Sequence, residues 1–130
     1  MTHEYTILSG GVVERPRVGV TATATGIAYA GGVVLAIGTD DDTHAISRGD
    51  SIVVDLRGRH VIPLVQAATQ TWPAACDRDG IDRLATLAAA DGCAEELDIG
   101  TSADFAICSM DGCLEAIVVD GVLAWGQLGP

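Results

Sequence analysis

Val53-Val54-Asp55-Leu56-Arg57-Gly58-Arg59-His60-Val61-Ile62-Pro63 sets two short apolar runs on either side of a charged break that contains a glycine. β-Branched residues dominate both runs. Each therefore reads as a strand, Ser51 to Asp55 and Arg59 to Ile62. Working back from there, Tyr5 to Leu8 and Val12 to Glu14 are β-prone runs split by the turn signal Ser9-Gly10-Gly11. Val18 to Thr25 alternates with the period of a half-buried strand. Ile27 to Ala30 and Val33 to Ile37 flank Gly31-Gly32, and two glycines permit the positive φ angles of a tight hairpin.

Asp40 to Ser47 reads as a short helix. Thr39 or Asp40 can cap it, and three successive aspartates suit the positive end of a helix dipole. The same run lacks the spaced ligands, central glycine and closing glutamate of an EF-hand, so capping explains it better than calcium. Beyond Pro63 the pattern changes. Gln66 to Asp79, with Trp72-Pro73 inside it, reads as irregular. Ile81, Leu84, Leu87 or Ala88, and Ala94 or Leu97 then fall at helical spacing. This predicts one amphipathic helix from Gly80 to about Glu96, capped by Asp79 and weakened at Gly92. The tail returns to strands. Asp104 to Cys108, Leu114 to Val119 and Val122 to Trp125 are joined by Asp111-Gly112 and Asp120-Gly121, a strong hairpin signal between apolar runs. The expected fold is mainly β, with one long helix and one short helix.

In this order the pieces resemble the small composite β-sandwich of the amidohydrolase superfamily, the group that includes imidazolonepropionase, dihydroorotase and cytosine deaminase. The resemblance rests on four features. One is the strand, Gly-Gly, strand opening that ends Ala36-Ile37-Gly38 and is followed by an acidic helix. The second is Val54 to Pro63. The third is Gly100-Thr101-Ser102-Ala103-Asp104-Phe105, similar to a Gly-x-x-Ala-Asp-apolar segment. The last is the closing Val119-Asp120-Gly121. Leu84 to Leu97 resembles the helix that follows the last barrel strand in that family. There, a metal-binding (β/α)8 barrel is inserted between the two halves of the sandwich. A chain of 130 residues cannot hold one, since that barrel takes roughly 200 residues at minimum. The resemblance implies one composite domain: residues 1–63 as the first β segment, 64–98 as a replacement segment with a helix, and 99–130 as the second β segment.

The resemblance also implies where metal ligands would stand. After the proline the family carries Gly-x-x-Asp-x-His-x-His, and the two histidines bind metal. Here the glycine position is Leu64, the acid is Ala67, and the histidine positions are Thr69 and Thr71. Threonine hydroxyls do not replace imidazole, thiolate or carboxylate donors. There is no lysine to carry a bridging carbamate. His3, His44 and His60 lie far apart in sequence and nominate no ligand set. No metal, cofactor or catalytic residue is therefore expected.

Other chemistry has as little support. No Gly-x-Ser-x-Gly elbow is present, and neither are Gly-x-Gly-x-x-Gly or Walker patterns. A cysteine could meet a histidine in space, but no spacing nominates a pair. Formal net charge is −11, from 18 acids and 7 bases, all of them arginine. A field of that sign disfavours nucleic acid and anionic membranes. Cys76, Cys93, Cys108 and Cys113 form no CxxC pair. They read as buried thiols, although Cys108 and Cys113 could face each other across a hairpin. Neither a signal peptide nor a run of ~18 apolar residues is visible, which favours a reduced, cytoplasmic setting.

Trp72 and Trp125 lie outside the regular core pattern and are candidate interface residues. Without a barrel, the apolar face it would cover needs another cover. The helix can supply part, and a second copy of the chain or a separate protein partner the rest. The expected function is a non-catalytic scaffold or interaction module, with a homodimer as its assembly. The alternative is a hydrolase of non-peptide C–N bonds, acting alone or complementing a separate barrel chain.

Overall fold

The computed structural model describes residues 5–14, 24–46, 51–89 and 97–127. The strand expected over Val18 to Thr25 falls almost wholly outside them, as do His3 and Cys93. The chain runs through β1 (Thr6–Ser9), β2 (Val12–Val13), β3 (Gly26–Ala30), β4 (Val33–Gly38), α1 (Asp40–His44), β5 (Ile52–Asp55) and β6 (His60–Pro63). It continues through α2 (Leu64–Ala68), α3 (Arg78–Ala88), β7 (Phe105–Cys108), β8 (Leu114–Val119) and β9 (Val122–Gly126). The strands form two sheets, in the orders β4-β3-β1-β5 and β2-β6-β7-β8-β9. Each sheet is mixed, because β5 runs parallel to β1 and β2 runs parallel to β6. The mainly β expectation holds.

Alternation along the strands decides what goes between the sheets. Leu8, Ile27, Tyr29 and Val34 from the first sheet meet Val13, Val61, Phe105, Ile107, Ala116 and Val118 from the second, with Leu56 between them. Tyr29 and Phe105 meet edge-to-face at 5.5 Å, an arrangement that suits the ring quadrupoles. Two of the chain's changes of sheet lie side by side. β1 leads into β2 through Gly10-Gly11, and β5 leads into β6 through Leu56 to Arg59. Leu56 N donates to Ser9 O at 2.7 Å, Gly58 N to Gly10 O at 2.8 Å, and Val12 N to Arg59 O at 3.0 Å. At the other end, Ala103 joins two hairpin turns: its N–H donates to Gly32 O at 2.9 Å, and its carbonyl accepts from Gly121 N at 3.1 Å.

Three differences from the sequence reading concern the helices. First, α1 carries a capping box, with Asp42 N donating to Thr39 Oγ1 and Thr39 N to Asp42 Oδ2. Thr39 is thus the cap, and the described helix stops at His44. Second, the long helix starts two residues earlier than expected, at Arg78, because the Asp77 carboxylate accepts from Asp79 N at 2.9 Å and takes the N-cap role assigned to Asp79. It is described as far as Ala88, and 90–96 lie outside the described residues. Third, Leu64–Ala68 is a second short helix where no element was expected. Its buried Leu64 and Ala67 lie three apart, on one face.

These helices cover the outer face of the second sheet. Leu64, Ala67 and Leu84 pack on Ile62, Ala106, Cys108, Leu114 and Ile117, flanked by Trp72, Ile81, Leu87 and Trp125. A side chain such as Leu84 stabilises this layer by about 1.5–3 kcal/mol relative to leaving it in water. The layer is also cross-linked. Cys76, just before α3, is bonded to Cys113, just before β8, with their Cα atoms 5.3 Å apart. This corrects the reading of Cys76 and Cys113 as thiols, and it corrects the Cys108–Cys113 pairing too: Cys108 is free and buried. Among the described residues no helix is long and apolar enough to cross a membrane.

The bridge closes a loop of 37 residues. Chain-entropy reasoning gives such a loop about 4 kcal/mol of stabilisation as an upper figure. Cys113→Ser is expected to lower the free energy of unfolding by that order in urea titrations under non-reducing conditions. An unchanged midpoint would show that helix packing alone holds the layer.

Candidate functional site

The positions aligned with metal ligands by the resemblance sit on and just after α2. Ala67 is buried in the second core. Thr69 is exposed at the helix C-cap, and its hydroxyl donates back to Gln66 O at 2.7 Å. Thr71 is exposed two residues on, outside any strand or helix. A ligand pair of the form x-His-x-His needs strand alternation to aim both side chains at one point. Here the chain becomes helical at Leu64, so alternation ends before either threonine is reached. Among the described residues, no three histidine, cysteine, aspartate or glutamate side chains converge on a point that could hold a metal ion.

Trp72 and Trp125 are both half-buried against the second core. The Trp72 indole N–H donates to Ala67 O at 3.2 Å. The Trp125 ring lies over α3 where Gly80 leaves room, since a Cβ on Gly80 would come within 2.5 Å of the ring. The acidic segments are structural as well. Asp40 Oδ1 accepts from Gly10 N and Thr25 Oγ1, both at 3.0 Å, and ties α1 to the first sheet crossing. Buried Asp104 accepts from Ser102 Oγ at 3.0 Å and Asp120 N at 2.8 Å, holding the β8–β9 turn. His44 Nε2 lies 3.3 Å from Ser9 Oγ.

One group of chemically competent side chains does come together, and it was not singled out from the sequence. In the β6–β7 ladder His60 stands directly opposite Cys108. Opposed residues in an antiparallel pair project to the same face. On the other side of β6, Glu14 follows β2, and its Oε2 lies 3.5 Å from His60 Nδ1. A cavity of about 200 Å³ opens between them, lined also by Ile62, Gln70 and the β7–β8 turn residues Ser109, Met110 and Gly112. The trio Glu14, His60 and Cys108 has the composition of a thiol-based catalytic triad, but its electrostatics oppose that use. Burial, then the carboxylates of Glu14 and Glu115, push the Cys108 thiol up from 9.0 to about 12. The group stays a neutral thiol at ordinary pH, whereas nucleophilic attack needs the thiolate.

A second hollow, of about 320 Å³, lies against β9 and is lined by Arg59, Leu114, Glu115, Trp125, Gly126 and Gln127. The Arg59 guanidinium is committed there to Glu115 Oε1 at 3.3 Å and to Leu56 O at 2.8 Å.

The raised thiol has a consequence for stability. Burial also pushes the Tyr29 hydroxyl from 10.0 to about 12, opposed in part by a hydrogen bond with Thr6. Both groups hold their protons more tightly folded than unfolded. Their contribution is complete below about pH 9 and is lost as pH rises toward 12. The thermal midpoint is expected to fall above about pH 9, and to fall less steeply in Cys108→Ala. Identical slopes in the two proteins would show that Cys108 does not titrate on unfolding.

No protein-family model matches the chain, and no curated protein does. Among solved structures it is similar to an uncharacterized metal-dependent hydrolase from Pyrococcus furiosus, with 18% identity and a TM-score of 0.39. That match covers 49% of this chain and 15% of the hydrolase. An uncharacterized metal-dependent hydrolase from Pyrococcus horikoshii OT3 gives 20% identity and a TM-score of 0.39, again over 49% of this chain and 15% of the other. The chain thus spans less than a sixth of the length of either hydrolase.

Proposed function

We propose that the chain is a non-catalytic scaffold or interaction module built on an amidohydrolase-type composite β-sandwich. One observation carries this reading. The segment between the two β halves is a cover, in which α2, α3, Trp72 and the Cys76–Cys113 bridge close over the outer face of the second sheet. The threonines at the two histidine positions agree with it, because one of them spends its hydroxyl on its own helix. The competing reading, a hydrolase of non-peptide C–N bonds, requires a metal or an activated nucleophile. The buried thiol of Cys108 is too basic to be one.

A module of this kind works through its surface. Ile52 and Val53 are exposed on the edge strand β5, and Val122 and Leu123 on the edge strand β9. Edges left unpaired among the described residues, and carrying apolar side chains, favour strand addition. The proposed assembly is a homodimer, with a separate protein partner as the other use of the same edges. The acid excess argues against nucleic acid. A cytoplasmic location goes with reduced Cys76 and Cys113, and an exported one with the bridge. Mass spectrometry of alkylated chain taken directly from cells distinguishes the two.

Light scattering at micromolar concentration is expected to give twice the 13.3 kDa chain mass, with a thermal midpoint that rises with protein concentration. The same preparation is expected to carry no stoichiometric zinc and to leave cyclic amides intact with zinc added. Metal-dependent hydrolysis would replace the scaffold reading with the hydrolase. A monomer whose midpoint is independent of concentration would remove the homodimer.

A further inference from the structure

We propose that the cavity beside the β6–β7 ladder binds a soft monovalent d10 metal ion, of the class of copper(I) and silver(I), through Cys108, His60 and Met110. Cys108 and His60 are directly opposed across adjacent strands. Directly opposed pairs hold their Cβ atoms about 4.5–5.5 Å apart, close enough for one ion to bridge sulfur and imidazole. Met110 lies two residues beyond Cys108 in the β7–β8 turn and lines the same cavity of about 200 Å³. Its side chain lies across Gly58, with Sδ 3.1 Å from the place a Cβ would occupy there. Thiolate and thioether donors select copper(I) over harder ions, and imidazole is compatible with it.

One further observation points to a cation of this kind. Glu14 Oε2 stands 3.5 Å from His60 Nδ1, so the carboxylate can orient the ring and leave Nε2 as the donor. A carboxylate on the second nitrogen is the usual outer partner of a metal-binding histidine. Among the described residues no three histidine, cysteine, aspartate or glutamate side chains converge, so the third donor has to be the Met110 thioether, and a set of two or three soft donors suits a monovalent d10 ion. Binding exchanges a proton for the ion: the Cys108 S–H bond breaks, the sulfur–metal bond forms, and the proton leaves to solvent.

Silver(I) is the probe, because it needs no reductant and leaves the Cys76–Cys113 bridge intact. Native mass spectrometry and thermal melting in chloride-free buffer are expected to show one silver ion per chain and a raised midpoint. Cys108→Ala should abolish binding, and Cys93→Ser should leave it unchanged. Met110→Leu, at a side chain 75% exposed and so dispensable for folding, should weaken binding at least about tenfold. The proposal is overturned by no binding at equimolar silver, by binding that survives Cys108→Ala, by binding lost in Cys93→Ser, or by equal affinity in Met110→Leu. If Cys108→Ala does not fold, the Met110→Leu comparison decides alone.

Discussion

The rest of the structure depends on two strands crossing between sheets in contact with each other. At the crossing, Gly11 has no space for a side chain: a Cβ there would lie 2.5 Å from Arg59 O and 2.6 Å from a Leu56 methyl. Gly10 needs its positive φ of 73°, and Arg57 adopts 53° to bring Gly58 round. The two backbones then satisfy each other's N–H and C=O groups where neither sheet can. Arg59 completes the junction. Its Nε donates to Leu56 O, its guanidinium reaches Asp55 O, and it pairs with Glu115 on β8. The crossing therefore fixes both strand register and the stagger of one sheet over the other. It also sets Glu14 beside His60, because β2 and β6 leave it as parallel neighbours.

From that junction the second layer follows. β6 ends at Pro63, and α2 begins at the next residue. The outward face of the second sheet is apolar, with Ile62, Ala106, Leu114 and Ile117, and would be a large exposed patch without a cover. The cover consists of one turn of helix, an irregular stretch and the long helix, with Cys76 bonded to the hairpin at the midpoint of the segment. Gly80 lets α3 approach the ring of Trp125, so the last strand is drawn into the same layer.

Much of the β framework was legible because its signals are local. Gly31-Gly32 and Asp120-Gly121 adopt the paired positive φ angles that their residue types allow, and strands form on both sides of each. The capping of α1 by Thr39 is equally local. The start of α3 was misplaced for a related reason: Asp77 and Asp79 both offer a capping carboxylate, and it is the earlier one that accepts a backbone N–H, from Asp79. Leu64–Ala68 was missed because five residues are too few to show helical periodicity, and its stability comes from the sheet beneath it.

The cysteines and the cavity were illegible for a different reason. Cys76 and Cys113 stand 37 residues apart, and a separation of that kind carries no pairing information. The sequence reads all four cysteines as buried thiols, with Cys108 and Cys113 able to face each other across a hairpin. However, Cys108 faces Leu114 across the hairpin, with a register shift after Ile107 that takes Cys113 out of the ladder. The same ladder sets Cys108 opposite His60, from a strand 48 positions earlier. No motif spans such a gap, because what joins the two residues is a hydrogen-bond register. On the other side of β6 the glycine crossing sets the β2–β6 register, where Arg59 O accepts from Val12 N one residue before His60. A shift of one residue there would turn His60 into the core and Val61 out of it. The chemistry of the cavity and the packing of the sandwich are therefore set by one constraint.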